Sequence, residues 1–429
     1  MEAVGSELNL YERPVVQTAI IGESIREYNP KATIIQGSPL DFSISGGAHH
    51  YVDLNNAKLE VRVKLTSPTG ADIAAGTRVG VANLTLHSLF QGMVMKCNRS
   101  TVTESNNLYP YRAMLETIIN YQTDVLKTRM ICEGYTEDTA GQMDVTNPAG
   151  ANTGLGTREA SFNASRIVRL IGRPHLDLFH QEKLIPPSVT IDIQLIPCRA
   201  PFLIKTAAPT SGAEQLLYKF EIVSARFLVP FKQVSDSMFI AHQKMLQEVN
   251  YQIPHTKVLM KTQTIPQGVT NFKAANLFTG VCPDRIAMVM VEDAAATGSY
   301  LRNPFNFQHF NLNYLTLNVN SQYIPGIPYE PDFARADYLR DYITVMEGLG
   351  YDIGPYTWDV TPNEWANGYN IYVFKITPGS IGAVKSLPLT GDVSSELKFS
   401  TATTGVITLV ILAEQAATLE IDKFNHVLI

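Results

Sequence analysis

The chain has 429 residues, 34 Lys+Arg against 40 Asp+Glu for a formal charge of −6, and 45% hydrophobic against 17% charged residues. A sequence this apolar can offset its ordering entropy by burial, which excludes a disordered chain, and the charge lacks the basic excess of a general nucleic-acid binder. No apolar run approaches the roughly 20 residues of a membrane helix, and the length suits about two or three domains.

Residues 1–24 read as an arm, with Glu2, Glu7, Glu12 and Glu23 among small and apolar residues. No basic region followed by an apolar core marks a secretory leader there, so a cytosolic or nuclear chain is expected. Short strand-like runs follow. In 39–45, Leu40, Phe42 and Ile44 share one face; in 57–65, Leu59, Val61, Val63 and Leu65 alternate with Lys58, Glu60, Arg62 and Lys64. A half-buried strand needs that period of two. Further strands are expected at 93–97, 162–171, 189–196, 220–229, 258–264, 285–291, 312–320, 369–376, 396–400 and 406–414, the last apolar on both faces and hence central. Such a series of short strands and turns indicates a sandwich or barrel.

Three segments have helical spacing: 109–121, with Leu115, Ile118 and Ile119; 235–249, with Phe239, His242, Met245, Leu246 and Val249 behind a Ser235 cap; and 331–348, with Leu339, Tyr342, Ile343 and Met346. The strand and turn at 93–100 recur 222 residues later at 315–322, and the helix opening at Tyr111 recurs 227 residues later at Tyr338. This offset suggests two copies of one β-rich unit, with 235–249 as the connector.

Little points to chemistry. Cys97, Cys132, Cys198 and Cys282 lack metal or redox spacing and read as buried free thiols. P-loop and nucleophile-elbow motifs are absent. His49 and His50 read as a solvated turn, and His242 as a packed helix residue. The cluster His175, Asp177 and His180 is the best metal-like group, although His180 is out of phase with the others on an extended segment. The acidic groups Glu133, Glu137 and Asp138, Glu330 and Asp332, and Asp337 and Asp341 read as local charge, the last pair on a solvated helix face. Arg166, Arg169 and Arg173 lack the aromatic interleaving of RNA binders. No catalytic, cofactor-binding or metal-binding residue is therefore assigned. The long polar loops 137–157 and 205–215 read as surfaces that would meet neighbouring subunits.

Collinear blocks carry a resemblance along nearly the whole chain: PLDFSI at 39–44, YVDL at 51–54, LHSLF at 86–90, YPYRAMLE at 109–116, DTAGQMD at 138–144, RPHLDLF at 173–179, NPFNF at 303–307, PDF at 331–333 and EID at 420–422. In these the chain resembles the major capsid (hexon-like) proteins of Polinton/Maverick elements and adintoviruses, of the double jelly-roll lineage. The resemblance implies an all-β chain of two consecutive eight-stranded jelly rolls, with a few short helices in loops and a connecting helix. The expected division is an arm (1–24), a first roll (25–232), a helical connector (233–250) and a second roll (251–429). It implies a non-enzymatic capsid subunit without cofactor, located in the virion and assembled in the host nucleus or cytoplasm. Three chains would form a pseudo-hexagonal capsomer tiling an icosahedral shell. Partners would be other copies and penton or minor capsid proteins, the arm and C-terminus making such contacts, with no sequence-specific nucleic acid and no membrane span. A cupin-like metal-binding β-barrel enzyme and a carbohydrate-binding β-sandwich are the alternatives. The two-copy strand series suits the jelly rolls on its own.

Overall fold

The alternating runs become strands whose apolar faces meet across two sandwiches. The computed structural model describes residues 17–47, 49–207, 218–351, 357–377 and 387–428. The first sandwich is built from β1 (Ile20–Tyr28), β2 (Leu40–Ser45), β3 (Lys58–Thr66), β4 (Phe90–Cys97), β5 (Ser100–Glu104), β6 (Val168–Gly172), β7 (Thr190–Pro197) and β8 (Lys219–Val234). The second is built from β9 (Tyr251–Ile265), β10 (Asn271–Val281), β11 (Arg285–Glu292), β12 (Leu312–Val319), β13 (Gln322–Tyr329), β14 (Ile371–Lys375), β15 (Thr390–Phe399) and β16 (Ile407–Ile421).

The strand orders are β1-β8-β3-β6 facing β2-β7-β4-β5, and β9-β16-β11-β14 facing β10-β15-β12-β13. Each strand of the first sandwich thus has its counterpart eight strands later, and each sandwich is an antiparallel jelly roll. Short strands His50–Val52 and Val427–Leu428 extend the sheets at β8 and β16. The 222-residue offset links β4 and its turn to β12. The similar helix openings lead to α1 (Tyr109–Asn120) and α4 (Leu339–Leu349), each after the fifth strand of its roll.

Leu40, Phe42 and Ile44 of β2 and Leu59, Val61, Val63 and Leu65 of β3 are buried, as their period requires. Phe42 meets Phe227 of β8 edge to face at 4.8 Å, which closes the first sandwich. Ile407, Leu409, Val410, Ile411, Leu412 and Ala413 are buried in β16, between β9 and β11. One continuous apolar core runs through both rolls.

Some elements differ from expectation. The run 162–171 is not one strand: Phe162 ends helix α2 (Thr153–Phe162), a 3-10 turn spans Asn163–Ser165, and β6 starts at Val168. β15 starts at Thr390, six residues before the predicted 396. Helix α4 starts at Leu339, because Asp332 and Asp337 pair backbone to backbone at 2.9 and 3.0 Å and hold the preceding residues in a turn. Asp341 is buried and accepts the Glu330 N–H at 2.8 Å, whereas Asp337 lies outside the helix; the pair forms no solvated helix face. Residues 1–16 of the expected arm lie outside the described residues, and Ile20–Ser24 are already paired with β8. The connector α3 (Asp236–Leu246) lies between β8 and β9.

Candidate assembly surfaces and the junction of the rolls

The rolls are joined by side chains from the connections. Helix α1, in the insert between β5 and β6, is buried along almost its whole length. Its Arg112 donates to Glu116 at 2.8 Å and to Asp177 at 2.7 Å, each of the three side chains nearly sealed from solvent. Asp177 accepts the Thr103 hydroxyl at 2.9 Å and, across the junction, the backbone N–H of Val258 in β9 at 3.3 Å. Trp358 donates to the carbonyl of Ile118 at 2.9 Å, and Thr123 donates to Asp359.

Much of the loop 137–157, read from its polarity as a surface for neighbouring subunits, is engaged within the chain. Asp138 bridges Arg158 at 2.6 Å and accepts from Asn303 at 3.2 Å. Asp144 accepts the N–H of Asn303 at 3.0 Å, Asn306 at 2.6 Å and Gln308 at 3.2 Å. The polar residues there satisfy a wet-looking but intramolecular contact, a distinction composition does not carry. Gly154 lies against this loop, and a Cβ there would fall 2.2 Å from the Glu137 carbonyl oxygen. Gly154→Ala is expected to cost about 1–3 kcal/mol by overpacking. A thermal midpoint unchanged from the parent would argue against this docking. Of the other long loop, 208–217 lies outside the described residues, while Lys205 is buried and donates to the carbonyl of Ser299 at 2.6 Å.

The histidine cluster is arranged differently from the sequence spacing. Asp177–His180 form a 3-10 turn, so His180 folds back beneath His175 with ring centroids 5.5 Å apart, while Asp177 turns to Arg112. His175 instead joins His87, Glu133 and Glu116, three residues distant in sequence. Its Nδ1 lies 2.6 Å from Glu116, and its ring is 4.7 Å from that of His87. His87 contacts Tyr109 through Nδ1 at 2.7 Å and Glu133 through Nε2 at 2.8 Å. Burial pushes the His87 imidazole below its ordinary value against the pull of Glu133. Burial works to raise the Glu133 and Glu116 carboxyls, but the His87 hydrogen bond in one case and the Arg112 charge in the other hold them below the usual range. Every member comes from a helix, turn or loop, none from a strand.

The remaining candidates are dispersed. Glu137 is raised by burial and by Glu364. Arg169 lies 3.7 Å from Glu60, Arg173 donates to Asn55 at 2.8 Å, and Arg166 lies outside β6. Cys97, Cys198 and Cys282 are buried, but Cys132 is exposed, because its 3-10 turn Arg129–Glu133 points Met130 and Glu133 inward instead. Burial pushes the Cys97 and Cys198 thiols up to about 12.

Two helices present apolar surface outward. The connector α3 is anchored by Leu246, by Phe239 against His49 (4.6 Å) and by His242 on the Tyr51 hydroxyl (2.8 Å). His49, still in a turn and partly exposed, therefore also packs the connector. Met238, Met245 and, just past the helix end, Val249 are exposed beside these anchors, and Ile240 is exposed on the opposite side of the helix. A groove of about 420 Å³ lies beside it, lined in part by Leu184, Pro186, Met245, Val249 and Ile253. On α4, Tyr342 and Met346 are buried, whereas Leu339 and Ile343 face solvent, as do Tyr323 and Ile327 of β13. Exposed apolar patches of this kind mark association surfaces.

No protein-family model matches the chain. It is 22% identical over 388 residues to an uncharacterised protein of Caenorhabditis elegans, covering 85% of this chain and 86% of that protein. Among solved structures it is similar to a chain of the Sputnik virophage (TM-score 0.61, 13% identity, 100% of this chain and 92% of that one). It is also similar to the faustovirus major capsid protein (0.58, 10%, 97% and 93%) and the mavirus major capsid protein (0.53, 11%, 100% and 95%). The chain is a double jelly-roll protein, sharing the fold of the faustovirus and mavirus major capsid proteins over 97% and 100% of its length.

Proposed function

We propose that the chain is a viral major capsid protein, of the Polinton/adintovirus type its sequence resembles, which forms homotrimeric capsomers that tile an icosahedral shell. The carrying observation is the double jelly roll spanning the whole chain in the same form as the mavirus and faustovirus major capsid proteins. The exposed apolar faces of α3 and α4 support it, since a subunit repeated by symmetry must bury such patches against its copies. In this reading the subunit is structural rather than catalytic and resides in the virion. The expected arm, 1–24, and the C-terminus, where Phe424 and Leu428 are exposed, would contact other copies or penton and minor capsid proteins. A cupin-type enzyme would place metal ligands on barrel strands, and the histidine cluster here lies on the connections.

Light scattering of the purified chain is expected to give a mass near three chains; a stable monomer would sink the proposal. The double variant Met245→Glu, Val249→Glu is expected to remain folded by circular dichroism while assembling at least tenfold less. Undiminished assembly would remove the connector face from the interface.

A further inference from the structure

The buried cluster between α1 and β6 combines donors that nothing in the capsid reading requires. One ring nitrogen each of His87 and His175 and one carboxylate oxygen of Glu133 lie within 4.8 Å of one another. Each histidine has its other nitrogen already oriented. His87 Nδ1 is 2.7 Å from the Tyr109 hydroxyl, and His175 Nδ1 is 2.6 Å from Glu116, itself fixed by Arg112 at 2.8 Å. Nε2 of each ring is left for the centre. Metal-binding histidines carry this kind of outer support: a carboxylate or hydroxyl on the far nitrogen fixes the ring and raises its basicity.

The charge is also unbalanced. With His87 and His175 neutral, the buried carboxylates of Glu116, Glu133 and Asp177 face one buried guanidinium among the described residues, that of Arg112, which leaves a formal −2. Isolated charge is costly away from water, so buried charges are paired or coordinate metals. Arg129 and Arg173 stand at the rim of the adjoining cavity, with Arg129 over the Tyr121 ring and Arg173 on Asn55 and the Tyr121 hydroxyl. That cavity, about 260 Å³, is floored by Glu133 and His175 and opens toward Cys132 and Asn55. It supplies an entry path and room for a water ligand.

We propose that His87, His175 and Glu133 bind a divalent transition-metal ion of the zinc type, with water in the fourth position on the cavity side. Two imidazoles and one carboxylate are an established zinc donor set, and the three-ligand form keeps one position open. The ion occupies the place between His87 Nε2 and Glu133 Oε2, now 2.8 Å apart, and the imidazole proton resides on Nδ1 toward Tyr109. Tyr109 and Glu116 are positioning residues, and His180, its ring tilted against that of His175, borders the site. The site ties the insert carrying α1 to β6 and thereby to the junction.

The test uses the full chain, stripped with chelator and titrated with Zn²⁺ and with Co²⁺ as a spectroscopic probe. One equivalent per chain and the intense visible bands of four-coordinate Co²⁺ are expected. X-ray absorption of the zinc-loaded chain should show two imidazoles. Glu116→Gln is expected to weaken zinc about 10–100-fold, and His87→Gln with His175→Gln to abolish stoichiometric binding, while His242→Gln leaves it intact. Absence of saturable one-to-one binding, a wild-type absorption spectrum without two imidazoles, or full binding by the His87/His175 variant would overturn the proposal. The wild-type spectra decide even if the buried variants misfold.

Discussion

Arg112→Ala is expected to lower stability by about 3–5 kcal/mol, the cost of leaving buried carboxylates without their partner. Glu116 and Asp177 would both lose a charge-assisted bond, of 2.8 and 2.7 Å. Neither side chain can reach water in compensation. Asp177 also accepts from Val258 of the second roll, so the loss falls on the junction. Thermal unfolding at fixed protein concentration, which holds any contribution of assembly constant, should therefore show two effects. The midpoint drops, and a single transition divides into two as the rolls uncouple. Arg112→Met with Glu116→Gln and Asp177→Asn should recover much of the loss by removing the unpaired charges. A single variant as stable as the parent would show that the network contributes nothing to the junction.

Trp365→Ala is expected to cost about 3–5 kcal/mol, the range for truncating a large buried aromatic. Trp365, on α5 (Pro362–Ala366), is fully buried and donates to the carbonyl of Ile371 in β14 at 2.8 Å. Its ring lies 5.5–6.4 Å from those of Phe333, Tyr338, Tyr342 and Tyr372, so it joins α4, α5 and the sheet. A capping box between Thr361 and Glu364 fixes the start of its helix. Trp365→Phe keeps much of the ring contact and loses the indole N–H, a cost of roughly 1–3 kcal/mol. Denaturant midpoints should fall in the order parent, Phe, Ala; equal midpoints for Phe and Ala would show that the hydrogen bond, not the packing, dominates.

Strands with one wet face were legible in the sequence, because 59, 61, 63 and 65 are apolar and their intervening residues charged. Three of the strands missed break that pattern for a physical reason. β1 has an almost wholly exposed face sequence, with Ile21 and Ile25 outward. β10 carries a register shift between Ala274 and Phe278, with Asn276 at φ 53°, so its period of two is interrupted. β13 holds Pro325, Gly326 and Pro328, which read as punctuation and are tolerated on an edge. The two-copy offset was legible because β4 and β12 have the same turn after them. The histidine cluster was not. His87, Glu116, Glu133 and His175 lie on separate connections, and no local spacing encodes their meeting. One signal was available: Arg112 and Glu116 stand four apart in a helix otherwise rich in apolar residues, where a charged pair needs further partners.

The insert between β5 and β6 also determines how far the two rolls can be separated. Expressed alone, the second roll would leave Asn303, Asn306 and the Val258 N–H without the acceptors that Asp138, Asp144 and Asp177 provide. The first roll alone would expose those carboxylates and the apolar side of α1. The two halves have become donor and acceptor to one another, so neither can be traded for a second copy of its sibling. In the proposed homotrimer such a chain would present two unlike edges in alternation, giving a six-fold outline with three-fold addresses for whatever binds the proposed shell.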